Sequence, residues 1–121
     1  MANKKQINKQ SWKPGNVLAP VPAVLVSCGG VKDWKPNLIT IAWAGSICSD
    51  PPMLSISIRP ERHSYDIIKN TREFAVNVTT QKLAKAVDWC GMVSGRDVDK
   101  FKRTKLTPIP ALKLDCPIVL E

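Results

Sequence analysis

The sequence feature that most restricts the fold is a series of short apolar runs, each closed by glycine or proline. In one of them Leu54, Ile56 and Ile58 alternate with serines. Side chains of a β-strand point alternately to its two faces, so this run predicts a half-buried strand with one polar face. The run directly follows Asp50-Pro51-Pro52. Because proline cannot donate to a β-ladder, these prolines separate the strand from the residues before it.

Further strands are predicted where β-branched and apolar residues cluster between turn signals. They are expected at residues 21–27, 37–44, 74–78 and 118–120, and Gly45 is expected to end the second of them. A first helix is expected to run to Lys69, with His63 or Ser64 as its N-cap.

A second helix is expected over residues 81–90, with Thr79 or Thr80 as its cap. Apolar residues recur in this helix at i, i+3, i+4 and i+7. They are expected to lie on one inward face, and they are Leu83, Ala86, Val87 and Cys90. Residues 97–101 are expected to form one helical turn at most. Short strands with intervening helices favour a mainly β fold with helical insertions, of the small-barrel type.

Length and charge limit how the chain is organised. Its 121 residues suffice for one domain, which we place at 17–121, after a basic N-terminal arm at 1–16. Half of the net charge of +8 lies in the first twenty residues, on Lys4, Lys5, Lys9 and Lys13. No apolar run approaches the roughly 20 residues of a membrane span, and the start lacks the apolar core of a secretory signal. We therefore expect a cytoplasmic protein without a membrane segment.

The excess of positive charge raises the question of nucleic-acid binding. A second basic cluster runs from Arg96 to Lys105, but it also contains Asp97 and Asp99. The chain has seven aromatic residues and no stripe of arginines and lysines interleaved with them. Such a stripe is typical of proteins that bind single-stranded nucleic acids. The sequence thus argues against nucleic acid as a partner and leaves it as a minor alternative.

The four cysteines do not form a metal-binding pattern. They are separated by 20, 42 and 26 residues, and His63 is the one histidine of the chain. Three of them, Cys28, Cys90 and Cys116, lie in apolar surroundings and are expected to be small core residues. Cys48 lies in a polar segment, where it is either a redox thiol or a small spacer.

The polar segment Ser46, Ile47, Cys48 and Ser49 is predicted to be a loop at the end of a strand. The backbone amides and short side chains of such a loop can bond to the edge of a planar heterocycle. An ordinary polar connection is the alternative interpretation.

The residues Arg59, His63, Ser64 and Tyr65 stand where the strand at 54–58 gives way to the first helix. Backbone N–H groups at a helix start, a hydroxyl and a guanidinium are groups that bind phosphate. A solvated basic turn with a serine cap is the alternative. Together, the loop and the basic helix start favour a mononucleotide cofactor that has a planar ring at one end and a phosphate at the other.

Three separated motifs carry a resemblance to a known family. They are the long run from Asn37 to Asn70, the segment EFAVNV and the segment SGRDVDKF. In this order they resemble the flavin reductase-like, FMN-binding split-barrel proteins, and most closely the flavoredoxin branch. The resemblance implies a split β-barrel, a homodimer and bound FMN, with FAD less favoured. Members of the family continue beyond the position of Glu121, so we expect the barrel to be incomplete at its C-terminus.

The resemblance also implies roles for individual residues. Residues 46–49 would contact the isoalloxazine ring, and the basic helix start would surround the ribityl phosphate. The resemblance also implies that three further residues lie near the cofactor or the second subunit, namely Asn77, Lys100 and Phe101. The implied activity is transfer of electrons or hydride through FMN, from NAD(P)H or a ferredoxin-type donor to an acceptor. It requires no catalytic side chain and no metal. A non-catalytic flavin-binding or structural remnant of this fold is the alternative.

Overall fold

Seven strands and three α-helices make up the part of the chain described by the computed structural model, which comprises residues 9–16 and 18–121. The strands are β1 (Val24–Cys28), β2 (Asn37–Ile41), β3 (Ala44–Ser49), β4 (Pro52–Ile56), β5 (Ala75–Val78), β6 (Pro108–Ile109) and β7 (Ile118–Val119). The helices are α1 (His63–Thr71), α2 (Ala84–Met92), which a 3₁₀ turn at Gln81–Leu83 precedes, and α3 (Lys100–Thr104).

The main sheet has three antiparallel strands in the order β2-β1-β5. Its central strand β1 is buried from Leu25 to Cys28, as expected for a continuous apolar run that is covered on both faces. Val26 pairs with Ile39 on one side and with Val76 on the other. The predicted mainly β fold with helical insertions is therefore confirmed, and the described strands form three separate sheets.

The second sheet is the hairpin β3–β4, and it corrects two predictions. Residues 46–49 are not a loop, because they belong to β3 and pair with β4, with a register shift between Ser46 and Cys48. Gly45 likewise lies inside β3 and does not end a strand. The strand predicted at 37–44 is therefore two strands. A bend at Ala42 and Trp43 separates them.

The hairpin is also more exposed than its alternating pattern predicts. Every residue of β3 is exposed, and in β4 Met53 and Leu54 are about half exposed, at 50% and 49%. The expected half-buried face is therefore confirmed only in part, because Ile56 and Ile58 are partly buried between exposed serines while Leu54 is exposed. The reason is topological: β3 and β4 pair with each other and with no strand of the main sheet.

The core lies between the main sheet and the two later helices. Leu25 and Leu38 from the sheet pack with Cys90 of α2, Phe101 of α3 and the following Leu106. The predicted inward face of α2 is confirmed, since Val87 and Cys90 are buried while Leu83 and Ala86 are partly buried.

Asn77 ties the third sheet, β6–β7, to the main one. Its Nδ2 donates to the carbonyl of Leu25 at 2.9 Å and to Oγ of Ser27 at 3.1 Å. Its Oδ1 accepts from the backbone N–H of Val119 at 2.9 Å. One amide side chain thus joins β5, β1 and β7.

Several element boundaries differ from the sequence-based expectation. The N-cap of α1 is Arg62, so the prediction of His63 or Ser64 as the cap is wrong. The helix continues past Lys69 to Thr71 and ends because Arg72 adopts the left-handed conformation, with φ of 60°. Residues 1–8 and 17 lie outside the described residues, and residues 9–16 of the expected arm are exposed without helix or strand. None of the described helices has the length and apolar character needed to cross a membrane.

Candidate functional site

A cleft of about 770 Å³ opens beside β2, between the start of α1 and the end of α2. Its walls come from three separated parts of the sequence, at residues 37–43, 57–64 and 90–100. The bend after β2 and the turn before α1 lie beside these parts. The volume is in the range of small-molecule sites, about 300–1,000 Å³.

The floor of the cleft is a buried hydrogen bond between β2 and α1. Asn37 Nδ2 donates to Ser64 Oγ at 2.8 Å, and both residues are at most 4 % exposed. Gly95 lies directly against this pair, because a Cβ built on it would stand 2.1 Å from Asn37 Oδ1. A buried polar pair of this kind is stable only while both partners keep their hydrogen bond.

The rim carries two arginines that contact the same glutamate. Arg59 donates through Nε to Glu61 Oε1 at 2.6 Å and also donates to that oxygen through Nη2. Arg96 Nη1 donates to the Glu61 carbonyl at 3.1 Å, and its Nη2 lies 3.5 Å from Asp66 Oδ2. Two cations from distant positions in the sequence therefore lie at one edge of the cleft.

His63 is the first residue of α1 and lines the same cleft. Its ring lies 6.1 Å from that of Trp34, with the two planes at 58°. Partial burial lowers the pKa of His63, and the positive charge of Arg96 lowers it further, against a smaller opposing effect of Asp66. The imidazole is therefore mainly neutral at pH 7.

Lys100 brings a buried cation to the inner end of the cleft. It is only 3 % exposed, and its Nζ donates to the Cys90 carbonyl at 2.7 Å. That carbonyl lies in the last turn of α2, where main-chain acceptors lack helical partners. Burial lowers the pKa of Lys100, while the neighbouring Cys90 and Cys28 thiols oppose the shift.

The structure brings only some of the predicted site residues together. Four line the cleft: Arg59, His63, Ser64 and Lys100. Residues 46–49 lie in the exposed hairpin, outside the cleft of their own chain.

The other three predicted residues lie outside the cleft lining. Tyr65 is on α1, with Lys69 Nζ 5.8 Å from its ring centroid. Asn77 joins strands, and Phe101 is part of the core. Their predicted roles at the cofactor stay predictions.

Sequence reasoning missed Asn37, Arg62, Gly95 and Arg96 as cleft residues. The sequence places Arg96 in a mixed basic cluster, and nothing in its local pattern shows that the segment at 94–100 contacts the residues just before α1. The SGRDVDKF motif was the available signal, since Gly95, Arg96 and Lys100 all belong to it.

The cysteines match the expectation from their surroundings. Cys28, Cys90 and Cys116 are buried free thiols, while Cys48 is exposed. Burial raises the pKa of Cys28 to about 12 and that of Cys116 to about 11, so both remain protonated at neutral pH. Among the described residues no three potential metal-ligating side chains (His, Cys, Asp or Glu) come together.

Comparison with known proteins places the chain in a family. The flavin reductase like domain matches it over residues 17–121. The chain belongs to this family. The resemblance predicted from the three motifs is therefore confirmed.

Two solved flavoredoxins share the fold. Flavoredoxin of Desulfovibrio vulgaris (Miyazaki F) superposes with a TM-score of 0.86 at 33% identity, over 93% of this chain and 61% of that one. Flavoredoxin from Methanosarcina acetivorans gives a TM-score of 0.78 at 26% identity, over 93% and 60%. An uncharacterized protein of Archaeoglobus fulgidus is 32% identical over 87 residues, which are 72% of this chain and 49% of the relative. The chain spans about half the length of the curated relatives it matches.

We predict that Gly95→Ala disturbs the cleft floor and that Gly45→Ala does not. The added methyl group at Gly95 would collide with the Asn37 side chain, whereas a methyl group at Gly45 meets no atom within 4 Å. Overpacking of this kind costs about 1–3 kcal/mol of unfolding free energy, while the control should stay within about 1 kcal/mol of the wild type. Urea unfolding of the three proteins measures the difference. Equal stability of both variants would mean that Gly95 is not packed against Asn37.

Proposed function

We propose that the cleft binds FMN and that the protein is a flavoprotein of the flavin reductase-like, flavoredoxin-like type. In this proposal it passes electrons or hydride from a nicotinamide or ferredoxin-type donor to an acceptor. The observation that carries the proposal is the convergence of Arg59, Arg96 and Lys100 on one cleft beside the start of α1. Membership of the family and the likeness to two flavoredoxins support it.

The donors that line the cleft fit a phosphate group. Arg62, the N-cap of α1, makes no side-chain capping bond, and His63 and Ser64 in the first turn line the cleft. A helix N-terminus that is not capped by a side chain attracts anions through its free N–H groups and its dipole. Arg59 and Arg96 add two guanidinium groups at the rim. This single cluster of phosphate-binding donors matches the one phosphate of FMN better than the pyrophosphate of FAD. We therefore propose FMN as the cofactor.

The rest of the cleft fits a planar ring. Its lining includes the apolar side chains of Ile39, Ile41, Trp43 and Met92. Bound FMN would supply the hydride and electron chemistry, and the protein would supply binding, orientation and electrostatics. In this proposal Lys100 faces the cofactor as a buried positive charge, the rim arginines hold the phosphate, and the apolar wall excludes water from the ring.

We predict that Arg59→Ala and Arg96→Ala each weaken FMN binding, while Arg103→Ala does not. Both rim arginines line the cleft, whereas Arg103 is exposed on α3 outside it. Loss of a charge-assisted contact to phosphate costs about 1.5–3 kcal/mol of binding free energy, or about 10- to 150-fold in Kd. Quenching of flavin fluorescence measures Kd for FMN and for riboflavin, which lacks the phosphate.

The riboflavin titration is the internal control of this experiment. Its Kd should be the same in all four proteins, because riboflavin makes no phosphate contact. Unchanged FMN affinity in both rim variants would remove the phosphate assignment. If the wild-type protein binds neither flavin, the cofactor proposal is wrong.

We predict that Lys100→Met weakens FMN binding at least tenfold while the unfolding free energy stays within about 1 kcal/mol of the wild type. Methionine fills a similar volume without a charge. Removing the buried charge relieves a desolvation cost, and losing the bond to the Cys90 carbonyl opposes that gain. Lys102→Met on the exposed side of α3 is the matched control. A large loss of stability with unchanged FMN affinity would mean that Lys100 acts only on the end of α2.

We also propose that the protein is a homodimer in the cytoplasm, with the β3–β4 hairpin packed against the second copy. Apolar side chains are exposed on and beside this hairpin, among them Trp43, Ile47 and Leu54. Residues 46–49 could then contact a flavin in the cleft of the partner. Sedimentation at micromolar concentration should give a dimer for the wild type, and Ile47→Lys should shift it toward monomer. A wild-type monomer that binds FMN tightly would contradict this proposal.

A further inference from the structure

The Nε and Nη2 edge of Arg59 already has an anionic partner within the chain. Arg59 donates to Glu61 Oε1 through both Nε and Nη2, and both residues line the cleft. The backbone N–H of Arg62 donates to the Arg59 carbonyl at 3.0 Å, which closes a turn and brings the two side chains together. This Nε and Nη2 edge is one of the two edges through which a guanidinium can bind a carboxylate or phosphate at two points.

From this geometry we infer that Glu61 is an internal competitor for the phosphate site. Its carboxylate occupies the Nε and Nη2 edge of Arg59, and a phosphate monoester that binds at this edge has to displace it. The inference rests on the proposed function, and it adds to it a residue of this chain that limits the affinity for phosphate-bearing ligands.

Replacement of the Glu61 carboxylate by phosphate on Arg59 is favourable because the ion pair between Arg59 and Glu61 is weak. The side chains of Arg59 and Glu61 are 57% and 56% exposed, and an ion pair exposed to this degree contributes little net free energy. Glu61 offers a single oxygen to both donors, whereas a phosphate monoester offers several oxygens and a charge of about −1.5 to −2. The phosphate is thus the stronger acceptor at the same edge.

The carboxylate of Glu61 acts separately from its backbone. Arg96 donates to the Glu61 carbonyl oxygen, and the turn is closed by the main chain of Arg59 and Arg62. A substitution of the side chain alone therefore leaves the turn and the contact with Arg96 in place. The other charged groups around the site, namely Arg62, Asp66, Asp97 and Lys100, are also unchanged by it.

A different role for the same carboxylate leads to the opposite result. If Glu61 positions Arg59 for the phosphate, its removal lets the arginine move away and weakens binding. If Glu61 competes with the phosphate, its removal strengthens binding. The direction of the change therefore decides between the two roles.

The test uses Glu61→Gln, which preserves shape and removes the charge, and Asp88→Asn as a control with the same change in net charge. Asp88 is exposed on α2 and lies outside this cleft. At low ionic strength we expect Glu61→Gln to lower Kd about two- to tenfold, both for FMN and for inorganic phosphate followed by ³¹P NMR. The Kd for riboflavin should stay the same, and Asp88→Asn should behave as the wild type.

The phosphate titration separates this inference from the proposed function. If no variant binds FMN or riboflavin, the cofactor proposal fails, and the affinities for inorganic phosphate still decide the role of Glu61. If Glu61→Gln and Glu61→Ala both bind inorganic phosphate more tightly than the wild type, the result supports the inference that Glu61 competes with phosphate for Arg59. Phosphate binding that is equal to or weaker than that of the wild type, an equal gain in Asp88→Asn, or no phosphate binding by any variant overturns it.

Discussion

The hydrogen bond from Asn37 to Ser64 is the contact on which the site depends. It is buried, it joins the first residue of β2 to the first turn of α1, and Gly95 packs against it from the third wall of the cleft. A buried amide and hydroxyl can satisfy each other in only a few arrangements, so this bond sets the spacing between sheet and helix. The positions of His63 and Arg59 relative to Lys100 follow from that spacing.

Three of the four cations that line the cleft are held by groups of the chain itself. Arg59 contacts Glu61, Arg96 contacts both Glu61 and Asp66, and Lys100 contacts a carbonyl at the end of α2. Ordered cations lose less side-chain entropy when an anion binds, which favours affinity. The carboxylates that hold two of them also lower the local positive potential. The cleft therefore has ordered cationic side chains whose positive charge is partly neutralised by nearby carboxylates.

The sequence predicts the elements of the main sheet and the inward face of α2 well, because their apolar residues are buried with the expected period. It fails at residues 46–49, since short polar side chains suit both a loop and an exposed strand, and only the pairing with β4 decides between them. It also misses Arg96, which reaches the start of α1 through a long-range contact with Glu61. Asn77 shows a third limit: a polar residue in a functional motif can act by joining strands.

The separation of the β3–β4 hairpin from the main sheet has a consequence for how the protein can change. Substitutions at sites without shared contacts have nearly additive effects on stability. The hairpin shares no strand pairing with the sheet, and Gly45 has open space around it. Exposed side chains of the hairpin can therefore change at little cost to the core of the single chain, so substitutions there act mainly through contacts with other molecules.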